Sequence, residues 1–233
     1  MKTASLLKIF ITVGVIYLAL LLFGGEDSAW FMKPLLLPAM IAAVAASEKF
    51  PTKNLPVFAL VFSWFGDVVL MFADKGEWLF IIGLVLFLTA HIIYIVLFHK
   101  QPKLKSSAST IWRYGGIILI MVYLLSMLYV LYPTLGGLKI PVTIYAITIS
   151  VMLFMAFKGI FEWTSPAKYY ILAGAICFVS SDSLLAFNKF YEPIPQASFN
   201  IMSTYLAAQF LIVFGVLVLN KKQHSVLSEN AAI

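Results

Sequence analysis

A chain of 233 residues that is 62% hydrophobic and 11% charged, with a mean hydropathy of +0.99, is too apolar for a water-soluble globular domain. A net charge of +6 would suit a nucleic-acid partner, but the 16 basic residues fall at the ends of apolar runs, where membrane topology accounts for them. No nucleic-acid partner is expected, and the composition is that of a multi-pass integral membrane protein surrounded by membrane lipids.

Apolar runs of about 17 to 25 residues cross a bilayer as helices, and they fall at 5–23, 32–47, 55–72, 78–99, 111–131, 140–158, 168–188 and 198–219. The first opens MKTASLLKIF, a basic start before an apolar core, as a signal peptide does. The core is long and no A-x-A site follows it, so a retained helix is expected. GGED (24–27) leads to the second run, a short one, with Lys33-Pro34 near its start. SEKFPTKN (47–54) leads to the third, which holds FSWFGDVVLMF, Phe62 to Phe72: an apolar stretch with one carboxylate, Asp67, and no cation within several residues. After ADKGE (73–77) the fourth run carries His91 and Tyr94. KQPKLKSSAST (100–110) precedes the fifth, and YPTLGG (132–137) the sixth, with Tyr145. The seventh holds CFVSSDSLLAF, Cys177 to Phe187, with a second intramembrane acid, Asp182, and Asn188 just behind it. KFYEPIPQAS (189–198) leads to the eighth, with Tyr205 and Gln209. No linker could form a soluble domain, so a single eight-helix domain over 1–220 and a short cytoplasmic tail over 221–233 are expected.

Each spanning backbone must satisfy its own hydrogen bonds, and no ten-residue stretches alternate as barrel strands do. The expected class is therefore all-α, a polytopic bundle of eight transmembrane helices. Lys33, Lys75, Lys139 and Lys189 sit at one set of helix ends and the remaining twelve of the 16 basic residues at the other. The positive-inside rule then puts both termini in the cytoplasm, as an even helix count requires. In a bacterium the location would be the inner (cell) membrane.

The two halves of the chain resemble each other. Asp67 and Asp182 are each followed by Leu at +3 and Phe at +5, as Leu70 and Phe72, and as Leu185 and Phe187. FLTAH, Phe87 to His91, lies over YLAAQ, Tyr205 to Gln209, and Lys33-Pro34 is matched by Lys139-Ile140-Pro141. A match four helices apart implies a parallel 4+4 repeat. Both acids would then share one depth, about 8 Å below the outer helix ends at 1.5 Å per residue, with His91 and Gln209 deeper. Tyr94 and Tyr205 lie on the stripes of His91 and Gln209.

A carboxylate in a spanning helix costs roughly 2.5–3.5 kcal/mol on insertion scales, so it faces the bundle interior and by default carries function. Two such acids close together in low dielectric do not both ionise. One keeps its proton as an acid and the other serves as a base, which suits acid-assisted hydrolysis. Asp67 and Asp182 are the catalytic candidates. His91, Tyr94, Tyr145, Tyr205 and Gln209 are candidates to line or position, against the plainer reading of interhelical hydrogen bonds. Asn188 is a cap or a headgroup contact, and Lys33 a snorkelling anchor or a phosphate contact. His99 lies at a helix end and His224 in the tail, which argues against a three-histidine zinc site. No G-x-S-x-G elbow or glycine-rich phosphate loop occurs, and Cys177 has no evident base partner, so neither a metal nor a cofactor is expected. The competing class is a proton-coupled transporter, which also carries midplane acids on repeats; against it, the third and seventh helices lack the Gly/Pro interruptions of broken transport helices.

The residues that survive this sorting resemble the YhhN family of membrane proteins. The likeness is carried, in order, by Lys33-Pro34, Gly66-Asp67, GLxxFLxAHxxY from Gly83 to Tyr94, PVxxYA from Pro141 to Ala146, GAxxFxxSDxxLAxNKF from Gly174 to Phe190, and YxxAQ from Tyr205 to Gln209. The resemblance implies an eight-helix fold and a lysolipid substrate. The implied reaction is hydrolysis of the vinyl-ether bond of lysoplasmalogen to a fatty aldehyde and glycerophospho-ethanolamine or -choline. It also implies that the GD and SD aspartates, Asp67 and Asp182, are the ones tied to activity. Enol-ether hydrolysis suits two carboxylates, one donating a proton to the vinyl carbon and one stabilising the oxocarbenium ion and taking a proton from water. Which Asp does which is left open at this level. A hydrolase of another lysolipid is the nearest alternative.

Overall fold

Every apolar run is helical in the computed structural model, which describes residues 2–103 and 110–230, and no strand occurs among those residues. Residues 104–109 of the expected fourth linker and 231–233 of the expected tail lie outside the described residues, as does the side chain of His224. α1 (Lys2–Ala19) ends in a π-helical turn, Leu20–Gly24, and the chain reverses at Gly25, whose φ of +80° favours glycine. It continues through α2 (Glu26–Trp30), a 3-10 turn (Lys33–Leu35), α3 (Leu36–Ala45), α4 (Asn54–Leu70), α5 (Glu77–Lys100) and α6 (Thr110–Leu131). Two 3-10 turns, Tyr132–Thr134 and Gly136–Leu138, lead into α7 (Lys139–Glu162), α8 (Ala167–Phe190) and α9 (Ala197–Asn230). The segment expected as a tail thus continues α9 as far as Asn230.

Seven helical segments are long and apolar enough to cross a membrane among the described residues. α4, at 17 residues, is shorter, about 26 Å at 1.5 Å per residue against a hydrocarbon core of about 30 Å.

The second run departs from the expected 32–47. Helix begins at Glu26, where Glu26 and Asp27 place acid in the first turn, favoured by the positive end of the helix dipole. It stops at Trp30 because Pro34 lacks an N–H and its ring clashes with the carbonyl four residues back. Pro38, inside α3, likewise leaves the Pro34 carbonyl without its helical donor, and the Trp64 indole Nε1 of α4 donates to it at 2.7 Å. That bond fixes the Lys33–Leu35 turn against α4, the helix that carries Asp67.

The most extensive helix pairings are α8 with α9 and α4 with α5, the two pairs that the sequence repeat matches. α8 and α9 approach closely through glycine: a Cβ at Gly174 would stand 2.8 Å from the backbone nitrogen of Ile212, and one at Gly215 would stand 3.0 Å from that of Ile171. In α4–α5 the Phe87 ring lies over Gly66, 2.7 Å from where a Cβ would be. Such contacts set the register of Asp67 and Asp182 against the helices beside them. α6 packs mainly on α7 and only lightly on α8, and it turns Leu119, Leu125 and Tyr129 outward.

At the end away from the acids, Thr3, Lys49 and Lys221 line one cavity of about 370 Å³, so the start of α1 and the Lys221 turn of α9 lie at the same end of the bundle. There Asn220 donates to Gln101 Oε1 at 3.0 Å, and Gln101 donates to Thr52 Oγ1 at 3.0 Å. This polar clamp between α5, α9 and the loop before α4 has no counterpart among the sequence expectations.

Candidate active site

Asp67 sits one residue after Gly66, so the close approach of α4 to α5 carries it inward, and it is 3% exposed. Tyr205, on α9, donates to Asp67 Oδ2 at 2.7 Å. Asp182 lies on α8 with a side chain 12% exposed. Its Oδ2 accepts the Tyr145 hydroxyl of α7 at 2.5 Å and the Nε2–H of His91 from α5 at 3.0 Å. His91 Nε2 is also 2.9 Å from the Tyr145 hydroxyl, so the three groups close a triangle. The ring is fully buried and, among the described residues, its Nδ1 has no partner, so its polar contacts are those of Nε2. Among the described residues neither Oδ1 accepts a hydrogen bond, so each acid keeps one oxygen uncommitted.

Both acids border one cavity of about 180 Å³, whose walls also include Lys33, Phe87, Asn188, Lys189 and Tyr205. Lys33 comes from the 3-10 turn that Trp64 anchors, and Lys189 from the last turn of α8, where its Nζ lies 5.4 Å from the centre of the Phe80 ring. The absence of a cation near Asp67 in the sequence is therefore not its absence in space: two lysines distant along the chain share the cavity, though neither forms an ion pair with either acid among the described residues. Asn188 faces this cavity while its Oδ1 accepts the backbone N–H of Ile194 at 2.9 Å, so it caps the loop and lines the site at once.

The other sequence candidates divide. Tyr145 stands behind Asp182 on two smaller cavities, and His91 supports Asp182 from the core. Tyr94 donates to Gln209 Oε1 at 2.6 Å, and neither borders the acid cavity; they form a buried α5–α9 tie.

Two neighbours escaped the sequence reading. Phe178, one turn before Asp182, packs its ring edge to face at 4.6 Å from His91 and 5.6 Å from Tyr205, holding both donors in place. Ser183, next to Asp182, bonds the Tyr123 hydroxyl and so ties α6 to α8. The i−4 spacing on α8 marks the face of Phe178; nothing in the sequence marks Tyr123. Among the described residues no three His, Cys, Asp or Glu side chains gather as a metal-ligand set.

The arrangement offers two carboxylates on one chamber of about 180 Å³, each held by a tyrosine, beside two ammonium groups. Comparison with known proteins adds that the YhhN family profile matches residues 28–216. The human protein named lysoplasmalogenase TMEM86A is 33% identical over 160 residues, 66% of this chain and 61% of that protein. Its bovine counterpart is 34% identical over 161 residues, 66% of this chain and 61% of that protein. A lysoplasmalogenase of Mycobacterium tuberculosis is 30% identical over 161 residues, 67% of this chain and 58% of that protein. The match thus spans about three-fifths of these relatives' length. No solved structure matches.

Proposed function

The chain belongs to the YhhN family, and we propose that it is an integral-membrane lysoplasmalogenase that cleaves the vinyl-ether bond of a 1-alkenyl lysolipid by carboxylate acid/base catalysis. The observation that carries this reading is the meeting of Asp67 and Asp182, from separate helices, on one cavity with Lys33 and Lys189.

Donors aimed at a carboxylate stabilise its charged form. Two converge on Asp182, from Tyr145 and His91, and one on Asp67, from Tyr205. Asp182 is accordingly the base and Asp67 the acid. Asp67 delivers its proton to the vinyl carbon distal to the ether oxygen, leaving an oxocarbenium ion whose charge faces Asp182. Water adds to the oxocarbenium carbon and gives a proton to Asp182. The hemiacetal then breaks its bond to the glycerol oxygen, which takes the proton held by Asp182, while the hemiacetal hydroxyl gives its proton to Asp67 as the aldehyde forms, so both acids return to their starting states. The sum is substrate plus water to aldehyde plus glycerophospho-ethanolamine or -choline.

The headgroup phosphate lies against Lys33 and Lys189, with Asn188 beside them. With the more basic ends of the helices in the cytoplasm, both termini are cytoplasmic and this chamber lies toward the outer face. A carrier has less support, because α4 and α8 run unbroken through both acids, unlike the interrupted helices of secondary carriers.

The test is to incubate purified protein with a 1-alkenyl and a 1-acyl lysolipid side by side and measure aldehyde and fatty acid separately. Aldehyde from the ether substrate alone is expected. Fatty acid alone would make it an esterase, and neither product would sink the enzymatic reading.

A further inference from the structure

Three cavities meet at Asp182. The chamber of about 180 Å³ holds both acids and the lysines. It shares Leu70, Phe87 and Asp182 with a second, of about 40 Å³, which in turn shares Val142, Tyr145, Ala186 and Asp182 with a third, of about 50 Å³, between α6, α7 and α8. Along this row the walls change from ammonium and carboxylate to hydrocarbon. Tyr123 and Ser183, whose bond links the two helices between which the row ends, both line the third cavity.

Size decides where an occupant must go. About 10–15 Å³ of such volume holds one water-sized group, so the two smaller chambers take roughly three to five groups each. A long-chain tail overruns them. It has to leave the protein, and the row ends beside α6, which packs lightly on α8 and has outward-facing Leu125 and Tyr129.

We propose that the alkenyl tail of the substrate runs from the reacting carbons at Asp182 through a neck formed by Val142 and Ala186, and passes between α6 and α8 into the bilayer beside the Tyr123–Ser183 bond. This rests on the proposed activity and adds its tail subsite. The polar head enters the large chamber, the scissile bond lies between the acids, and a long tail is engaged at the neck rather than in the acid chamber.

The neck is tested by Ala186→Leu, which narrows it while both carboxylates are kept. kcat/KM for a long-chain 1-alkenyl lysolipid falls about tenfold or more, the scale of one or two misplaced methylenes in a fitted pocket, while a short water-soluble alkenyl substrate stays within about twofold. The path is tested separately in the wild-type chain with a non-hydrolysable alkyl-ether lysolipid carrying a diazirine halfway along its tail. After illumination the label is expected on the α6 and α7 peptides that contain Tyr123 to Leu131 and Val142 to Ile149. Label confined to α1, α2 or α9, or an equal loss for both chain lengths, overturns the path. Should the wild type release no aldehyde from any substrate, the activity is refuted, and the photolabel alone then decides where an amphiphile's tail lies.

Discussion

Asp182→Asn separates the two accounts of this acid. The amide keeps an oxygen that can accept from both Tyr145 and His91, so both structural bonds survive in neutral form. A hydrogen bond to a charged group contributes about 1.5–3 kcal/mol and a neutral one about 0.5–1.5 kcal/mol, and two weakened bonds cost on the order of 2 kcal/mol, partly offset because no charge need be held away from water. The loss of a catalytic base is larger: positioned proton transfer contributes about 10²–10⁴ in rate, or roughly 3–5 kcal/mol. The variant should therefore insert and stay monodisperse with a small shift in melting, and lose at least a hundredfold in aldehyde release, followed with a coupled aldehyde dehydrogenase. The pH profile assigns the role. A base must be deprotonated, so activity falls on its acidic limb, and an acid must be protonated, so activity falls on its alkaline limb. Asp182→Asn should flatten the acidic limb of residual kcat/KM and Asp67→Asn the alkaline one. Turnover above a tenth of wild type in either folded variant refutes the two-carboxylate scheme, and exchanged limbs reverse the assignment.

Tyr94→Phe removes the one bond to Gln209 Oε1 and, by the scale of interhelical bonds in membranes, costs about 0.6–1.7 kcal/mol, seen as a lower melting temperature with kcat within about twofold. Lys33→Gln and Lys189→Gln should each raise KM for the phospholipid substrate with little change in kcat, and the double variant should abolish the dependence of KM on ionic strength; an unchanged KM in the double variant would remove both from headgroup binding. Gly174→Ala puts a methyl against the α9 backbone, 2.8 Å from Ile212 N. Overpacking of this kind costs about 1–3 kcal/mol, measured as loss of the folded fraction in detergent, and activity is lost in proportion.

The acids were legible because a carboxylate in a run such as FSWFGDVVLMF has no cheap explanation, and because the same pattern returns around Asp182. Their environment was less legible. Lys33 was legible as a phosphate contact or a snorkelling anchor, but a sequence gives spacing along a helix and not which helices touch, so Lys189, far from it in the chain, could not be placed on one cavity with it and Asp67. Tyr94 and Tyr205 read alike, each on the stripe of a polar residue, yet Tyr205 donates to an acid and Tyr94 to an amide. The difference lies in the helix each one faces: Tyr205 of α9 reaches α4, whereas Tyr94 of α5 reaches α9. The early start of the second span turned on the acid pair Glu26 and Asp27, whose value at a helix start is hidden beside a longer apolar run, and its break after Trp30 turned on Pro34.

The pairing of acids with donors crosses between the halves of the chain. Asp67 of the first half is held by Tyr205 of the second, and Asp182 of the second by His91 of the first, while Tyr145 completes the latter. The first half alone could not orient its own carboxylate, and the second alone would keep only Tyr145, because His91 and Tyr205 reach across rather than back along their own helix pair. Local sequence symmetry thus yields a chemically unequal pair. At the positions matched in the repeat, the first half offers His91 where the second offers Gln209, and Phe87 where the second offers Tyr205. An imidazole and a phenol converge on one acid and a lone phenol on the other. Two equivalent acids would share a proton without preference, and in the proposed mechanism this substitution of donors is what distinguishes the acid from the base.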